Sequence, residues 1–186
     1  MGYSDVYKNT ASEVARFLAG NNIGLVYGGA NVGLMKILAD VMLAENREVI
    51  GVMPHKLIRR EVSHVNLTEM IHVETMAERK EKMVELSDAF IALPGGFGTL
   101  DELSEILTFN QLRILDKPLG FLNINNYFDK LFEFFDVAVQ EGFVRKEHRD
   151  NLIVSDNITE LFSKMNAYVP LSIGKWINEI VKESNS

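Results

Sequence analysis

The sequence contains no cysteine. A chain without thiols forms no disulfide, binds no metal through thiolates and has no cysteine nucleophile, and nothing marks it for an oxidising compartment. Four histidines are present, at spacings that match no metal motif, and we interpret them as surface or loop residues: His55, His64, His72 and His148. The sequence therefore predicts no metal site, and a cytoplasmic location is the default expectation.

Basic residues and long apolar runs are also scarce. Lysine and arginine number 19 against 26 acidic residues, a net charge of −7, whereas a protein that binds nucleic acid through its phosphates usually carries a positive surplus. No apolar run approaches the ~18 residues of a membrane span. The polar start is neither a signal peptide nor a myristoylation site, since Val6 stands where serine or threonine is needed. We expect neither a nucleic-acid partner nor a membrane.

What the sequence does contain is a regular alternation of short apolar runs and helix-period segments. Its 186 residues are 47% hydrophobic, which suits a single domain over residues 1–186, and we find no repeat or linker. Alternating strands and helices favour a parallel sheet with helices on both faces. The prediction is an α/β fold, a Rossmann-like three-layer sandwich with a mostly parallel sheet.

The strand candidates are short and apolar, as expected for strands buried on both faces. They are Ile23 to Tyr27, Val49 to Met53, Met70 to Val73, Ala89 to Leu93, Leu119 to Ile124 and Leu152 to Val154. A helix pattern over Asp5 to Leu18 precedes them, although doubly wound domains usually begin with a central strand, so we expect that a first strand is missing. From Pro170 the pattern predicts a final surface helix.

The first of two glycine-rich turns runs from Gly28 to Gly33. It follows a strand and opens a helix, where backbone amides and the helix dipole can hold an anion, so Gly28 and Gly29 are candidates for a phosphate loop. It is not the dinucleotide fingerprint, because Ala30 stands where the second glycine is needed. A tight turn with no ligand is the alternative.

The second turn, Pro94-Gly95-Gly96-Phe97-Gly98-Thr99, lies between another strand and another helix. Its glycines let the backbone approach a ligand closely, and the absence of a Gly-Lys-Ser/Thr ending removes the main support for ATP hydrolysis. The loop suits a monophosphate. Two such turns at the carboxyl ends of strands in one parallel sheet would face a shared crevice.

The acidic residue Glu102 has two interpretations. Thr99 and Glu102 are spaced as a capping box, which satisfies amides of a first helical turn, and the pattern alone favours that cap over a chemical role. Asp101 is explained by the helix dipole in the same way.

Two cations, Arg79 and Lys80, stand in the first turns of another helix, after a possible Thr75/Glu78 box. Cations there oppose the helix dipole, so a bound phosphate or a carboxylate partner would account for their position. A solvated face with Glu78 and Lys82 paired along the helix is the alternative.

These two motifs together resemble the signature of the LOG (Lonely Guy) phosphoribohydrolases, a family long mislabelled as lysine decarboxylases. Arg79-Lys80 with Met83 is followed by the run from Pro94 to Glu102, and the likeness extends from Leu25 through Lys117-Pro118 to Phe143. The resemblance implies hydrolysis of the N-glycosidic bond of adenosine-type 5′-monophosphates, cytokinin riboside 5′-monophosphates among them. It also implies a reaction without cofactor or metal.

Matched position by position, Arg79 and Glu102 correspond to the family's catalytic pair. The positions that match its nucleotide-binding residues are Glu61, Lys80, Gly96, Phe97, Gly98, Thr99, Leu100, Asp101 and Thr108. A carboxylate beside the ribose suits this chemistry, because glycosidic cleavage develops positive charge on the sugar. Arg79 would hold the phosphate or assist the departing base.

The sequence also departs from the family pattern. We expect the family's first strand, with the Cys-Gly-Ser type turn after it, to be missing. Ala30-Asn31 replaces Gly-Ser, and Phe109-Asn110 stands where Trp-Ala is common. We expect an altered base preference. The resemblance implies a homodimer, for which Phe109, Leu112 and Ile114 are candidate apolar contacts, although core packing explains them equally well.

A noncatalytic nucleotide carrier, or a molybdenum-cofactor carrier of the same fold, is the alternative function. Both functions would use the crevice between the two glycine-rich turns. A carrier, however, needs no carboxylate against the sugar, so the presence of Glu102 with Arg79 favours the enzyme. Lysine decarboxylation is rejected, because no lysine sits in a recognisable pyridoxal-phosphate setting.

Overall fold

The computed structural model describes residue 2, residues 4–58 and residues 63–171. The predicted final helix after Pro170 falls almost wholly in residues 172–186, outside the described residues. In the described ranges, no helix combines the length and the apolar character needed to cross a membrane.

Six strands alternate with helices along the chain, as the sequence predicts. The strands are β1 Leu25–Tyr27, β2 Val49–Pro54, β3 Glu69–Val73, β4 Phe90–Ala92, β5 Leu119–Leu122 and β6 Ile153–Ser155. The helices are α1 Asp5–Gly20, α2 Gly33–Ala44, α3 His55–Ile58, α4 Met76–Leu86, α5 Phe97–Gln111, α6 Asp129–Gln140, α7 Lys146–Asp150 and α8 Ile158–Asn166. Every predicted strand is present, and no strand end is shifted by more than two residues.

All strand pairs are parallel, and the α/β prediction is confirmed. The strands form two three-stranded sheets, in the orders β1-β2-β3 and β4-β5-β6, where the sequence predicts one continuous sheet. Pairing stops between β1 and β4, because no strand of the described residues lies between those two edges.

Two groups of buried side chains form the core. The first joins α1, α2 and β2, where alanines such as Ala11, Ala15 and Ala39 are fully buried and let the two helices approach closely. The second is aromatic: the fully buried Phe121 of β5 meets Phe128 and Phe132 edge to face, at centroid distances of 5.5 and 5.3 Å. Edge-to-face pairs add to the energy of burial.

Replacing Phe121 with alanine should lower the free energy of unfolding by about 3–5 kcal/mol, because the substitution removes buried area and leaves a cavity among aromatic rings. Urea denaturation measures the change. Phe134→Ala is the matched control, since Phe134 is 62% exposed, and it should change stability by about 0.5 kcal/mol or less. Equal losses in both variants would contradict the assignment of Phe121 to the core.

Candidate active site

The helix that carries Arg79 begins with the predicted cap. Thr75 Oγ1 accepts a hydrogen bond from the Glu78 amide at 3.1 Å, and the Glu78 carboxylate accepts one from the Glu74 amide at 2.8 Å. In an ordinary capping box this carboxylate accepts from the amide of the N-cap residue, whereas Glu78 accepts from the residue before the N-cap. This cap places Arg79 in the first turns of α4, at the carboxyl edge of β2.

Arg79 is held by two partners from different elements. Its Nη1 donates to Glu102 Oε1 at 2.7 Å, and its Nε donates to the Val52 carbonyl at 3.1 Å. The Arg79 side chain is only 11% exposed, whereas Glu102 is 36% exposed. The guanidinium therefore fixes the orientation of the carboxylate, which still has a face open to solvent.

Gly28, at the end of β1, makes room for this arginine. A Cβ atom built on Gly28 would lie 2.0 Å from Arg79 Nη2. The turn that follows has left-handed backbone at Gly29, with φ +74°, and α2 begins at Gly33. The guanidinium thus packs against the first glycine turn, and the role of Gly28 and Gly29 as a phosphate loop stays a prediction.

Glu102 does not cap its helix. Helix α5 begins at Phe97, with Gly96 at the N-cap position and no side-chain cap, so Thr99 already lies inside the helix. The interpretation of Thr99 and Glu102 as a capping box is therefore wrong, because the helix starts three residues earlier than that box requires. Instead, Thr99 packs on Gly95. A Cβ atom built on Gly95 would lie 2.1 Å from Thr99 Oγ1.

Lys80 is paired with carboxylates of α5. Its Nζ lies 2.9 Å from Glu105 Oε2 and 3.1 Å from Asp101 Oδ1. The hydrogen bonds to Glu105 and then to Asp101 raise the pKa of Lys80. The sequence suggested either a bound phosphate or a carboxylate as partner for Arg79 and Lys80. In the structure both cations contact carboxylates. The alternative pair of Glu78 with Lys82 is not formed, since Lys82 contacts Glu85 at 2.9 Å.

Tyr127 is a site residue that the sequence did not reveal. Its hydroxyl donates to the Gly95 carbonyl at 2.7 Å, and its ring meets the ring of Tyr7 edge to face at 5.8 Å. Tyr127 belongs to no motif of the sequence and stands just before α6. Tyr127 therefore ties the second glycine turn to the chain that follows β5.

Removal of that hydroxyl in Tyr127→Phe should raise KM for the substrate about tenfold with a smaller change in kcat, because the turn loses a hydrogen bond that orders it. Steady-state kinetics measures both constants. Tyr127→Phe keeps the ring contact with Tyr7, so an unchanged thermal midpoint would show that the fold is retained. No change in either constant would exclude this positioning role.

His64 lies in a loop but is buried, so of the two interpretations offered for it, surface or loop residue, only the loop is correct. It is 7% exposed, its Nε2 lies 3.0 Å from Asp40 Oδ1, and its Nδ1 accepts from the Asn66 amide at 3.2 Å. Burial raises the pKa of Asp40, but hydrogen bonds from His64 and Lys36 outweigh burial and lower it overall. The backbone amide of His64 also donates to the Gly29 carbonyl at 2.9 Å, which holds the first glycine turn in place.

The remaining predicted residues are divided between two cavities and the surface. A cavity of about 790 Å³ between β1 and β4, here called the central cleft, is lined by Lys80, Thr99 and Glu102 among others. Thr108 instead lines a cavity of about 220 Å³ on the other side of α5, where its Oγ1 donates to the Ser104 carbonyl.

The tip of the second glycine turn is open to solvent. Gly96 and Gly98 are exposed, Phe97 is 92% exposed, and Leu100 packs into the aromatic core. Glu61 lies outside the described residues. The structure thus brings together the two residues that the resemblance named as catalytic, with Lys80, Asp101 and the glycine turn beside them.

Comparison with known proteins agrees with this geometry. The family model described as "Possible lysine decarboxylase" matches residues 35–165. The "Probable cytokinin riboside 5'-monophosphate phosphoribohydrolase LOGL2" of Oryza sativa subsp. japonica is 43% identical over 91% of this chain and 69% of its own length. The "Cytokinin riboside 5'-monophosphate phosphoribohydrolase LOG1" of Arabidopsis thaliana is 44% identical over 88% of this chain and 77% of its own.

Solved structures share the fold at lower identity. The molybdenum cofactor binding protein of Rippkaea orientalis has a TM-score of 0.67 and 21% identity, over 88% of each chain. The molybdenum cofactor carrier protein of Chlamydomonas reinhardtii has a TM-score of 0.63 and 18% identity, over 89% of each chain. These likenesses establish the Rossmann-like fold. The family match and the identity to the plant proteins show that this chain belongs to the LOG family.

Proposed function

We propose that this chain hydrolyses the N-glycosidic bond of adenosine-type nucleoside 5′-monophosphates, giving the free base and ribose 5-phosphate. The observation that carries the proposal is the 2.7 Å contact between Arg79 and Glu102, with Glu102 in the wall of the central cleft. A partly exposed carboxylate fixed by a guanidinium that is largely covered is suited to a cationic sugar. The names of the plant relatives describe the same reaction.

Glu102 would act at the sugar. As the bond between C1′ and the base breaks, its electron pair goes to the base and positive charge develops on the ribose. A preoriented carboxylate stabilises that charge and orients a water, whose oxygen bonds to C1′ while its proton passes to the departing base. Arg79 keeps Glu102 in position, because its Nε is anchored to the backbone of β2 at Val52.

The phosphate would bind at the start of α5. Backbone amides at a helix amino terminus attract anions, and here they follow the exposed Gly96, Phe97 and Gly98. Lys80 lies within reach, because Asp101, one of its present partners, belongs to the second turn of the same helix. Glu61 and Thr108 are proposed as nucleotide-binding residues on the resemblance alone.

We also propose a homodimer, formed through the end of α5. Leu112 and Ile114 are 44% and 66% exposed, which is unusual for large apolar side chains so close together. Thr108 lies on the same helix, so a partner subunit would approach the second cavity. Analytical ultracentrifugation of wild type and Ile114→Glu tests this: a dimer that the variant weakens supports it, and a wild-type monomer at micromolar concentration excludes it.

The function is tested by incubating purified chain with AMP, with isoprenylated AMP and with adenosine. The two monophosphates should give free base and ribose 5-phosphate in equal amounts. Adenosine, which lacks the phosphate, should react at least about 100-fold more slowly in kcat/KM, because binding energy at the phosphate is used to orient the sugar. Cleavage of adenosine as fast as AMP would contradict the phosphate site.

A noncatalytic carrier is the second candidate, and the fold shared with molybdenum cofactor proteins favours it. Such a carrier needs anion-binding amides but no carboxylate at the sugar. Tight binding of AMP without release of base from either monophosphate would support the carrier.

A further inference from the structure

The loop before β3 lies against the first glycine turn. Ser63 and Ala30 form an antiparallel bridge, and the His64 amide donates to the Gly29 carbonyl at 2.9 Å. Outside the helices and the strand ladders, this is the one backbone hydrogen bond that the described residues give to the carbonyls of residues 28–31. The turn therefore depends on this loop, and on His64 in particular, for its position.

The side chain of His64 fastens the loop to helix α2. The imidazole is 5% exposed, and its Nε2 lies 3.0 Å from Oδ1 of Asp40. Because a backbone amide can only donate, His64 Nδ1 accepts the bond from Asn66, so the hydrogen of the neutral ring is on Nε2 and points to Asp40. Lys36 holds the other oxygen of that carboxylate, with its Nζ at 2.6 Å. The contact between loop and helix is thus a covered hydrogen bond to a carboxylate, a strong and directional kind of bond.

On its other side, the first glycine turn packs against the candidate active site. Gly28 leaves no room for a Cβ atom beside the guanidinium of Arg79, as described above. Gly29 is equally close to β2, since a Cβ atom built on Gly51 would lie 2.8 Å from Gly29 Cα. Tightly packed interiors transmit displacements, so a shift of the turn reaches the guanidinium that orients Glu102.

We propose that His64 is a positioning residue for the reaction. By holding Asp40 with its side chain and the Gly29 carbonyl with its amide, His64 fixes the first glycine turn. The turn then keeps the Arg79 guanidinium where it orients Glu102. In the described residues His64 has no hydrogen bond to either member of that pair, so its effect passes through the turn. The inference rests on the proposed function, because it assigns His64 a part in the same reaction.

Kinetics separates positioning from a contribution to stability alone. At a temperature where every variant is folded, His64→Ala should lower kcat for AMP about tenfold or more and change the dissociation constant of AMP by about threefold or less. His64→Gln should keep kcat within about threefold of wild type, because its amide donates to Asp40 in place of Nε2. His64→Asn can replace Nδ1 at the Asn66 amide but is too short to reach Asp40, so it should be as slow as the alanine variant.

His72→Ala is the matched control, because His72 is an exposed histidine of the neighbouring strand β3. It should leave kcat within about twofold of wild type. A lower thermal midpoint in His64→Ala with an unchanged kcat would show a structural role only and overturn the proposal. Equal losses of kcat in the glutamine and asparagine variants would overturn the route through Asp40.

A second readout does not depend on turnover. The Nε–H group of Arg79 donates to the Val52 carbonyl and can be followed in proton–nitrogen correlation spectra. Exchange of this proton with water should be about tenfold faster or more in His64→Ala and His64→Asn, and unchanged in His64→Gln and His72→Ala. Unchanged exchange in His64→Ala would overturn the proposal whatever the activity. Faster exchange in a chain that releases no base from AMP would contradict the proposed function and keep His64 as the residue that positions Arg79.

Discussion

Replacing Glu102 with glutamine should lower kcat for AMP hydrolysis by about 10³-fold or more and change the dissociation constant of AMP by about threefold or less. The amide keeps the size of the side chain and an oxygen that can accept from Arg79, but it has no charge to stabilise the ribosyl cation. A loss confined to kcat is the mark of an interaction made only in the transition state. Single-turnover kinetics and calorimetric binding measure the two quantities.

Glu85→Gln is the matched control for this experiment. Glu85 lies on the outer part of α4, is 67% exposed and pairs only with the neighbouring Lys82 in the described contacts. Its neutralisation should leave kcat within about twofold of wild type. A Glu102→Gln protein that turns over AMP at a tenth of the wild-type rate or faster would show that the carboxylate does not carry the chemistry.

Replacing Gly28 with alanine should lower kcat about 100-fold without unfolding the protein. The φ angle of Gly28 is not in the positive region, so alanine is compatible with the backbone. The new Cβ, however, would lie 2.0 Å from Arg79 Nη2 and must displace the guanidinium from Glu102. A misplaced catalytic group typically costs about this much. The measurement is kcat alongside a circular dichroism melt.

A double-mutant cycle separates this effect from general damage. If Gly28→Ala acts through the guanidinium, it should cost little in a chain that already carries Arg79→Ala. Gly20→Ala is the control, because a Cβ there meets nothing within 4 Å. Additive losses in the double mutant would contradict a positioning role for Gly28.

Much of the fold follows from the sequence because its signals are local. Buried parallel strands have short apolar runs, and the opening helix shows its period from Asp5 onward, so all six strands and α1 were predicted with small errors at the ends. The pairing of Arg79 with a carboxylate was also indicated, since a cation near a helix amino terminus needs an anionic partner.

The sequence does not show that Glu102 pairs with Arg79, because this pairing depends on the residue at which α5 begins. The pattern around Thr99 fits a cap, and only the start of the helix at Phe97 turns Glu102 toward Arg79. Likewise, the side chain that needs the space beside Gly28 is that of Arg79, which lies 51 positions away in the chain. Tyr127 and His64 carry no motif, because their partners, the Gly95 carbonyl and Asp40, come from other elements.

The division into two sheets is the other difference from the sequence prediction. The pattern of strands along the chain fixes their number and their parallel direction, but pairing across the centre needs a neighbour for both β1 and β4. The expectation of a missing first strand rests on topology alone, and it stays a prediction.

The most direct measurement of the central claim is a single turnover with the chain in excess over radiolabelled AMP. With Glu102 poised by Arg79 against the ribose, all bound nucleotide should be converted to adenine and ribose 5-phosphate in a one-to-one ratio. Recovery of intact AMP from a chain that has bound it, over many hours and with isoprenylated AMP as well, would contradict hydrolysis and favour the carrier.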